Sequence, residues 1–256
     1  MVPRAFPALL AERVAAAVRA GDLAVHLQPQ VDHATGRPRG AEALLRWAGD
    51  GPAVTPPLIV AAAEHAGLGP RLLDLVLGRA LEAWAGWGDD GLAVAVNVSA
   101  ADVHASGFVH RVLDHLDAAG VPARALVLEL TESTPLRAAD RAAAAFAALR
   151  VAGVRVALDD FGTGWSSPER LDALGVDVLK LDRAFVGDHE VARHAAGLAR
   201  ERGLQLVAEG VEDLALVPAL GGLGYHVLQG YAIARPMPAP ECAAWLAARA
   251  TRALVA

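Results

Sequence analysis

The sequence predicts an α/β fold of the TIM-barrel type, a closed barrel of eight strands surrounded by helices. Three observations favour this class. Apolar strand-like runs alternate with Ala- and Leu-rich helical stretches, a pattern typical of a parallel sheet covered by helices. Eight such runs occur, and the length of 256 residues suits a single α/β barrel. A doubly wound open sheet is the alternative, and the number of strands disfavours it.

The predicted elements follow one another without a linker, a low-complexity tract or an internal repeat. Short β-rich runs predict strands, and longer amphipathic stretches predict helices. The predicted strands are 23–30, 40–46, 92–98, 126–130, 154–158, 178–181, 204–208 and 227–228. The clearest predicted helices are 58–66, 71–87, 109–119, 138–151, 184–202 and 240–253. Residues 1–20 form a predicted lead-in helix, compatible with a linker to another domain, and residues 21–256 form one predicted domain.

The composition excludes several classes of protein. A net charge of −6 argues against a basic surface for DNA or RNA, although bound divalent cations would still allow a phosphate ligand. The single cysteine, Cys242, excludes an internal disulfide and a cysteine-based zinc site. No apolar run approaches the length of a membrane span, and Glu12 and Arg13 interrupt the start too early for a signal peptide. These features predict a cytoplasmic, reducing location.

Polar side chains lie at the carboxyl ends of seven successive predicted strands, the end at which α/β barrels build their active sites. In chain order they are Glu42 with Arg46, Asn97, Glu129 with Thr131 and Glu132, Asp159 with Asp160, Lys180 with Asp182, Glu209 with Glu212, and Gln229. A cap or a satisfied polar group would explain any one of them. The same feature on seven strands in succession predicts that these side chains converge on one site.

The chemistry of this set predicts a divalent metal site. Carboxylates and an amide, without Cys or clustered His, are hard oxygen ligands that suit Mg²⁺ or Mn²⁺ better than zinc. Asp159 and Asp160 would repel each other without cations, and both reach one face only if the strand is already turning, which Gly162 and Gly164 permit. Enzymes commonly use two divalent ions to catalyse in-line displacement at a phosphodiester. We therefore expect in-line attack of water on such a bond.

Lys180 is the only lysine of the chain, which contains 22 arginines. Its apolar neighbours predict a buried strand, where an unpaired ammonium is costly. Lysine is a compact point charge, whereas arginine presents a wide planar fork. Lys180 is therefore a functional candidate, a small cation beside a reacting oxygen.

The motifs that carry these residues resemble those of EAL domains, bacterial phosphodiesterases that open cyclic di-GMP to linear pGpG. They are Gln28-Pro29, Glu42-Ala43-Leu44-Leu45-Arg46-Trp47, Asn97-Val98-Ser99, Glu129-Leu130-Thr131-Glu132, Asp159-Asp160-Phe161-Gly162-Thr163-Gly164, Lys180-Leu181-Asp182, Ala208-Glu209-Gly210-Val211-Glu212 and Gln229-Gly230-Tyr231. They occur in order over essentially the whole chain, which makes the resemblance specific.

The resemblance implies a role for each residue. The implied metal ligands are Glu42, Asn97, Glu129 and Asp159, with Asp160 and Glu209 at the second ion. Lys180 and Glu209 are the implied catalytic groups, beside the attacking water. The implied substrate contacts are Gln28, Leu45, Arg46 and Gln229. The implied loop and supporting residues are Thr131, Glu132, Phe161, Gly162, Asp182 and Glu212.

The resemblance also implies cofactors and partners. Two Mg²⁺ or Mn²⁺ ions would support turnover and Ca²⁺ would inhibit it. Cyclic di-GMP would be the ligand, a homodimer the assembly, and a longer protein could add sensory or GGDEF domains. The first strand would run antiparallel to its neighbours.

Two alternatives remain open from the sequence. The same fold could sense cyclic di-GMP or dock a partner without hydrolysis, or it could act on another phosphodiester. Departures from the usual family pattern, at Trp165, at Pro168 and after Trp47, touch no implied metal ligand. Because every implied ligand is present, we favour catalysis.

Overall fold

Eight strands close into a barrel in sequence order in the computed structural model, which describes residues 8–49, 52–87, 91–131, 139–163 and 168–250. The strands are β1 (Leu23–Asp32), β2 (Pro38–Trp47), β3 (Ala93–Val98), β4 (Leu126–Thr131), β5 (Arg155–Phe161), β6 (Val178–Leu181), β7 (Gln205–Ala208) and β8 (Val227–Leu228). Strand β1 is antiparallel to β2 and β8, and the other neighbours are parallel. The predicted barrel and its antiparallel first strand are confirmed.

Helices cover the outside of the barrel. They are α1 (Ala8–Ala20), α2 (Pro56–His65), α3 (Gly69–Ala85), α4 (Ala100–His104), α5 (Phe108–Ala119), α6 (Ala139–Ala152), α7 (Pro168–Leu174), α8 (His189–Arg202), α9 (Val217–Leu223) and α10 (Ala239–Arg249). Helix α1 packs against α2 and α3, and its Val14 and Val18 are buried in the main core. None of the helices in the described ranges is long and apolar enough to span a membrane.

The prediction of a helix over 184–202 is wrong at its start. Helix α8 begins at His189, because the Asp188 side chain accepts hydrogen bonds from the backbone N–H groups of Glu190 and Val191. The preceding residues form turns, in which the Asp182 carboxylate accepts from the N–H of Ala184 at 2.8 Å. Asp182 therefore ends the sixth strand and shapes the loop that follows it.

Small apolar side chains fill the lower barrel interior and place the polar residues above them. This inner cluster consists of Ala93, Ala95, Val127, Ala157, Val178, Val207 and Val227. Side chains two residues apart on a strand share a face. Glu129 follows Val127 on that inward face, Asp159 follows Ala157, and Lys180 follows Val178. The strand period thus directs the polar side chains toward one end of the barrel interior.

Helix α6 offers a matched test of the core between the barrel and its helices. Phe146 is fully buried, whereas Val151 on the same helix is 91% exposed. We expect Phe146→Ala to lower the free energy of unfolding by about 3–5 kcal/mol, because the truncation leaves a cavity. Val151→Ala should change it by less than about 0.5 kcal/mol. Chemical denaturation measures both, and equal effects would contradict this packing.

Candidate functional site

A cleft of about 800 Å³ opens at the carboxyl end of the parallel strands. Its apolar wall comes from α2 and α3, including Val60, Leu72 and Val76. Its polar wall comes from the strand ends, including Glu42 and Asp159. The cleft therefore combines an apolar surface with the acidic residues predicted to converge.

The Lys180 ammonium lies among four carboxylates. Its Nζ donates to Glu129 Oε2 at 2.6 Å, and it lies 3.2 Å from Asp159 Oδ2 and 3.7 Å from Glu42 Oε2. It also contacts the Glu209 carboxylate. The Lys180 side chain is 1% exposed, and that of Glu209, the most accessible of the four acids, is 16% exposed. One buried cation thus faces four acidic side chains in a region with little solvent to screen them.

Two amides hold Glu42 from opposite sides. Asn97 Nδ2 donates to Glu42 Oε1 at 2.7 Å, and Gln229 Nε2 donates to Glu42 Oε2 at 2.6 Å. Burial works to raise the pKa of Glu42, but the Lys180 ammonium and these hydrogen bonds outweigh it and leave the pKa below its ordinary value. Glu42 is therefore the acid of the group whose ionised form the surroundings favour.

The surroundings disfavour the charged forms of the other three acids, Glu129, Asp159 and Glu209. Burial raises the pKa of Glu129 and of Glu209 well above the ordinary value, and neighbouring carboxylates oppose the stabilising effect of Lys180. Burial raises the pKa of Asp159 as well. A single ammonium does not neutralise this cluster, so further positive charge would stabilise it.

The chain turns at the end of β5, as the predicted convergence of two adjacent acids requires. Asp160 has a left-handed backbone, with φ of 59°, and its N–H donates to Asp159 Oδ1 at 2.9 Å. Burial, helped by the charges of Asp159 and Asp182, raises the pKa of Asp160 to about 7. Gly162 has φ of 108°, and a Cβ there would lie 2.7 Å from the Phe185 ring, so the turn requires glycine.

The oxygen atoms present fit divalent cations. One group joins Glu42, Glu129 and Asp159, and a second joins Asp159, Asp160 and Glu209, with the candidate ligand atoms of each group within 4.8 Å of one another. Asp159 belongs to both groups, so the geometry suits two adjacent ions. Asn97 donates through Nδ2, which leaves its Oδ1 as a further ligand atom. All these donors are oxygens, the set that Mg²⁺ and Mn²⁺ favour.

Most of the remaining predicted residues line the cleft. Those that line the cleft are Gln28, Leu45, Thr131, Asp182, Glu212 and Gln229. Arg46 does not occur in the described lining; it donates to the Leu45 carbonyl at 2.9 Å. Phe161 is buried and stacks on His194, with ring centroids 6.1 Å apart, so its side chain supports the β5 loop from outside the barrel. Glu132, like Trp165, lies outside the described residues.

Gln30 is a further polar residue of the site that was not predicted from the sequence. Its Nε2 donates to Gln229 Oε1 at 2.7 Å. The signal that could have revealed it is the strand period, because Gln30 follows Gln28 by two residues and so shares its face.

The fold and the site together define an α/β-barrel protein with an acidic cation site at its strand ends. The family model of the EAL domain matches residues 11–236. This chain belongs to the EAL domain family.

Relatives of known name and structure agree with this assignment. The bifunctional diguanylate cyclase/cyclic di-GMP phosphodiesterase MucR of Pseudomonas aeruginosa is 37% identical over 238 residues, which cover 88% of this chain and 34% of that protein. The solved PaMucR phosphodiesterase in complex with c-di-GMP is 35% identical, with a TM-score of 0.84 over 91% of this chain and 99% of that one. The EAL domain of Mycobacterium smegmatis DcpA is 31% identical, with a TM-score of 0.74 over 90% and 97%. The chain spans about a third of the length of the curated relatives it matches.

Proposed function

We propose that this chain is a phosphodiesterase that hydrolyses cyclic di-GMP to linear pGpG with two divalent ions, Mg²⁺ or Mn²⁺. The observation that carries the proposal is the pair of acidic groups that share Asp159 and surround the buried Lys180. Membership of the EAL family and the named activity of MucR support the choice of substrate.

We assign the residues of the two acidic groups as the metal ligands. Glu42, Asn97, Glu129 and Asp159 would hold one ion, and Asp160 and Glu209 would complete the site of the second with Asp159. When bound, divalent ions supply a Lewis acid for the phosphodiester and lower the pKa of a water molecule. The two acidic groups that share Asp159 support this assignment.

The chain's own groups then orient the reaction. Lys180, which donates to Glu129 and lies beside Asp159, would offset negative charge that develops on the phosphate. Glu209, the most accessible acid of the group, borders the cleft and would take the proton of the attacking water. Water adds to phosphorus, the bond to a 3′ oxygen breaks, that oxygen receives a proton, and the product keeps a 5′ phosphate.

Metal removal tests the proposal. We expect conversion of cyclic di-GMP to pGpG with Mg²⁺ or Mn²⁺, followed by chromatography, and a loss of at least about 100-fold when EDTA is in excess. Re-addition of Mn²⁺ should restore turnover, whereas Ca²⁺ should inhibit it. Micromolar binding of cyclic di-GMP without turnover in any of these metals would contradict hydrolysis and favour a sensor.

The resemblance to EAL domains also concerns the assembly of the protein, its location and any further domains. We propose a homodimer in the cytoplasm, and sensory or GGDEF domains elsewhere in a longer protein. The supporting observation for further domains is that the matched relatives are about three times as long as the matched region.

A further inference from the structure

Gln30 lies next to the candidate metal site without belonging to either acidic group. It is half-buried on β1 and pairs with Gly40 of β2, whereas Gln28 pairs with Glu42. Gln30 thus lies one inward-facing position below the level of Glu42, toward the floor of the barrel.

Gln30 is one end of a hydrogen-bonded chain of three amides. Gln28 Nε2 donates to the Ala234 carbonyl at 3.1 Å, which turns Gln28 Oε1 toward Gln229. Gln229 Nε2 donates to Gln28 Oε1 at 3.1 Å and to Glu42 Oε2 at 2.6 Å. Gln30 Nε2 donates to Gln229 Oε1 at 2.7 Å.

Each amide in this chain has only one orientation that satisfies its neighbours. The Ala234 carbonyl accepts only, so it fixes Gln28, and Gln28 in turn requires a donor from Gln229. Reversing Gln229 would place its carbonyl oxygen against the Glu42 carboxylate and its NH₂ group against the NH₂ group of Gln30. Gln30 therefore stabilises the orientation in which Gln229 donates to Glu42.

We propose that Gln30 is a positioning residue for the metal site, which acts through Gln229 to hold the Glu42 carboxylate as a ligand. The inference rests on the proposed function, because Glu42 is a ligand only in that proposal. Groups hydrogen-bonded to a metal ligand fix its orientation, and their loss commonly lowers metal affinity 10- to 100-fold.

Substitution of Gln30 by an acidic or a basic residue distinguishes the positioning role from a direct effect of charge on cation binding. Glutamate accepts where glutamine donates, so Gln30→Glu would draw the Gln229 NH₂ group away from Glu42. Lysine keeps a donor toward Gln229. If charge alone mattered, Gln30→Glu would strengthen binding of a divalent cation and Gln30→Lys would weaken it. The positioning role predicts the reverse order.

The test measures Mn²⁺ affinity by calorimetry on the full chain, without cyclic di-GMP. We expect Gln30→Glu to weaken binding about 10-fold or more, Gln30→Met to weaken it less, and Gln30→Lys to stay within about threefold of the wild type. The control is Gln205→Glu, which adds the same charge at the amino-terminal end of β7, where Gln205 accepts from Arg155 at 3.3 Å. It should leave the affinity unchanged.

The outcomes distinguish this inference from the proposed function. A wild-type chain that binds no Mn²⁺ overturns the metal-dependent function. A wild type that binds Mn²⁺, together with a Gln30→Glu variant that binds equally well or more tightly, overturns the role of Gln30 alone. If thermal unfolding shows that a charged variant does not fold, the neutral Gln30→Met variant decides, since unchanged affinity there contradicts the inference.

Discussion

The Lys180→Arg variant is expected to lose turnover of cyclic di-GMP by a factor of about 10²–10³, although it keeps the positive charge. Lys180 is 1% exposed, and its single nitrogen reaches Glu129 and Asp159 together. An ammonium directs three donors from one compact atom, whereas a guanidinium spreads five donors over a wide plane. The larger group would push apart the carboxylates that we assign as ligands.

Two further variants separate shape from charge at this position. Lys180→Met keeps the length of the side chain without the ammonium, so it should impair turnover as well and leave four acids without their cation. Arg39→Lys, at a side chain 52% exposed that pairs with Asp32, is the surface control and should keep full activity. Chemical denaturation is needed beside the kinetics, because overpacking costs about 1–3 kcal/mol. Near-normal turnover in Lys180→Arg would contradict the role we assign to the ammonium.

The strands of the barrel were predictable because their apolar runs are distinct. Buried parallel strands consist of nearly continuous apolar residues, and all eight predicted runs coincide with observed strands. The direction of β1 was not predictable from that pattern, because either direction can bury the same side chains. Only the resemblance to EAL domains indicated it.

The helices were less predictable where local chemistry competes with periodicity. Helix α9 was not among the predicted helices, since Pro218, Gly221 and Gly222 are poor helix formers. The start of α8 was misplaced because Asp188 acts as an N-cap inside an otherwise helical pattern. Tertiary packing therefore decides whether α9 forms, and the Asp188 side chain decides where α8 begins.

The convergence of the site was predictable for the parallel strands but not for β1. Parallel strands bring their carboxyl ends to one edge, so Glu42, Glu129 and Asp159 could be expected to lie together. Gln28 and Gln30 are inner residues of an antiparallel strand, and the strand-end rule does not apply to them. The hydrogen bonds between them and Gln229 depend on register, which the sequence does not reveal.

The second large effect is expected at Glu42, which two amides and the buried ammonium surround. Glu42→Ala should abolish detectable turnover, because it removes a carboxylate from the first acidic group and the acceptor for both Asn97 and Gln229. Glu82→Ala, on the exposed surface of α3, is the matched control and should leave kinetics unchanged. Unchanged rates in Glu42→Ala would contradict the assignment of Glu42 as a metal ligand.

A measurement of stability can establish the loss of metal independently of the reaction. A ligand present at 100 times its dissociation constant stabilises the folded protein by about 2.7 kcal/mol. The wild type should gain at least this amount in Mn²⁺, and Glu42→Ala should gain clearly less, because it loses a ligand of the first ion and keeps the second acidic group. Without metal the variant loses two hydrogen bonds to a charged carboxylate, each worth about 1.5–3 kcal/mol, but it also relieves repulsion among four acids around one ammonium. These effects oppose each other, so we expect the metal-free variant to remain folded, and its smaller gain in stability with Mn²⁺ would then report on the site and not on the fold.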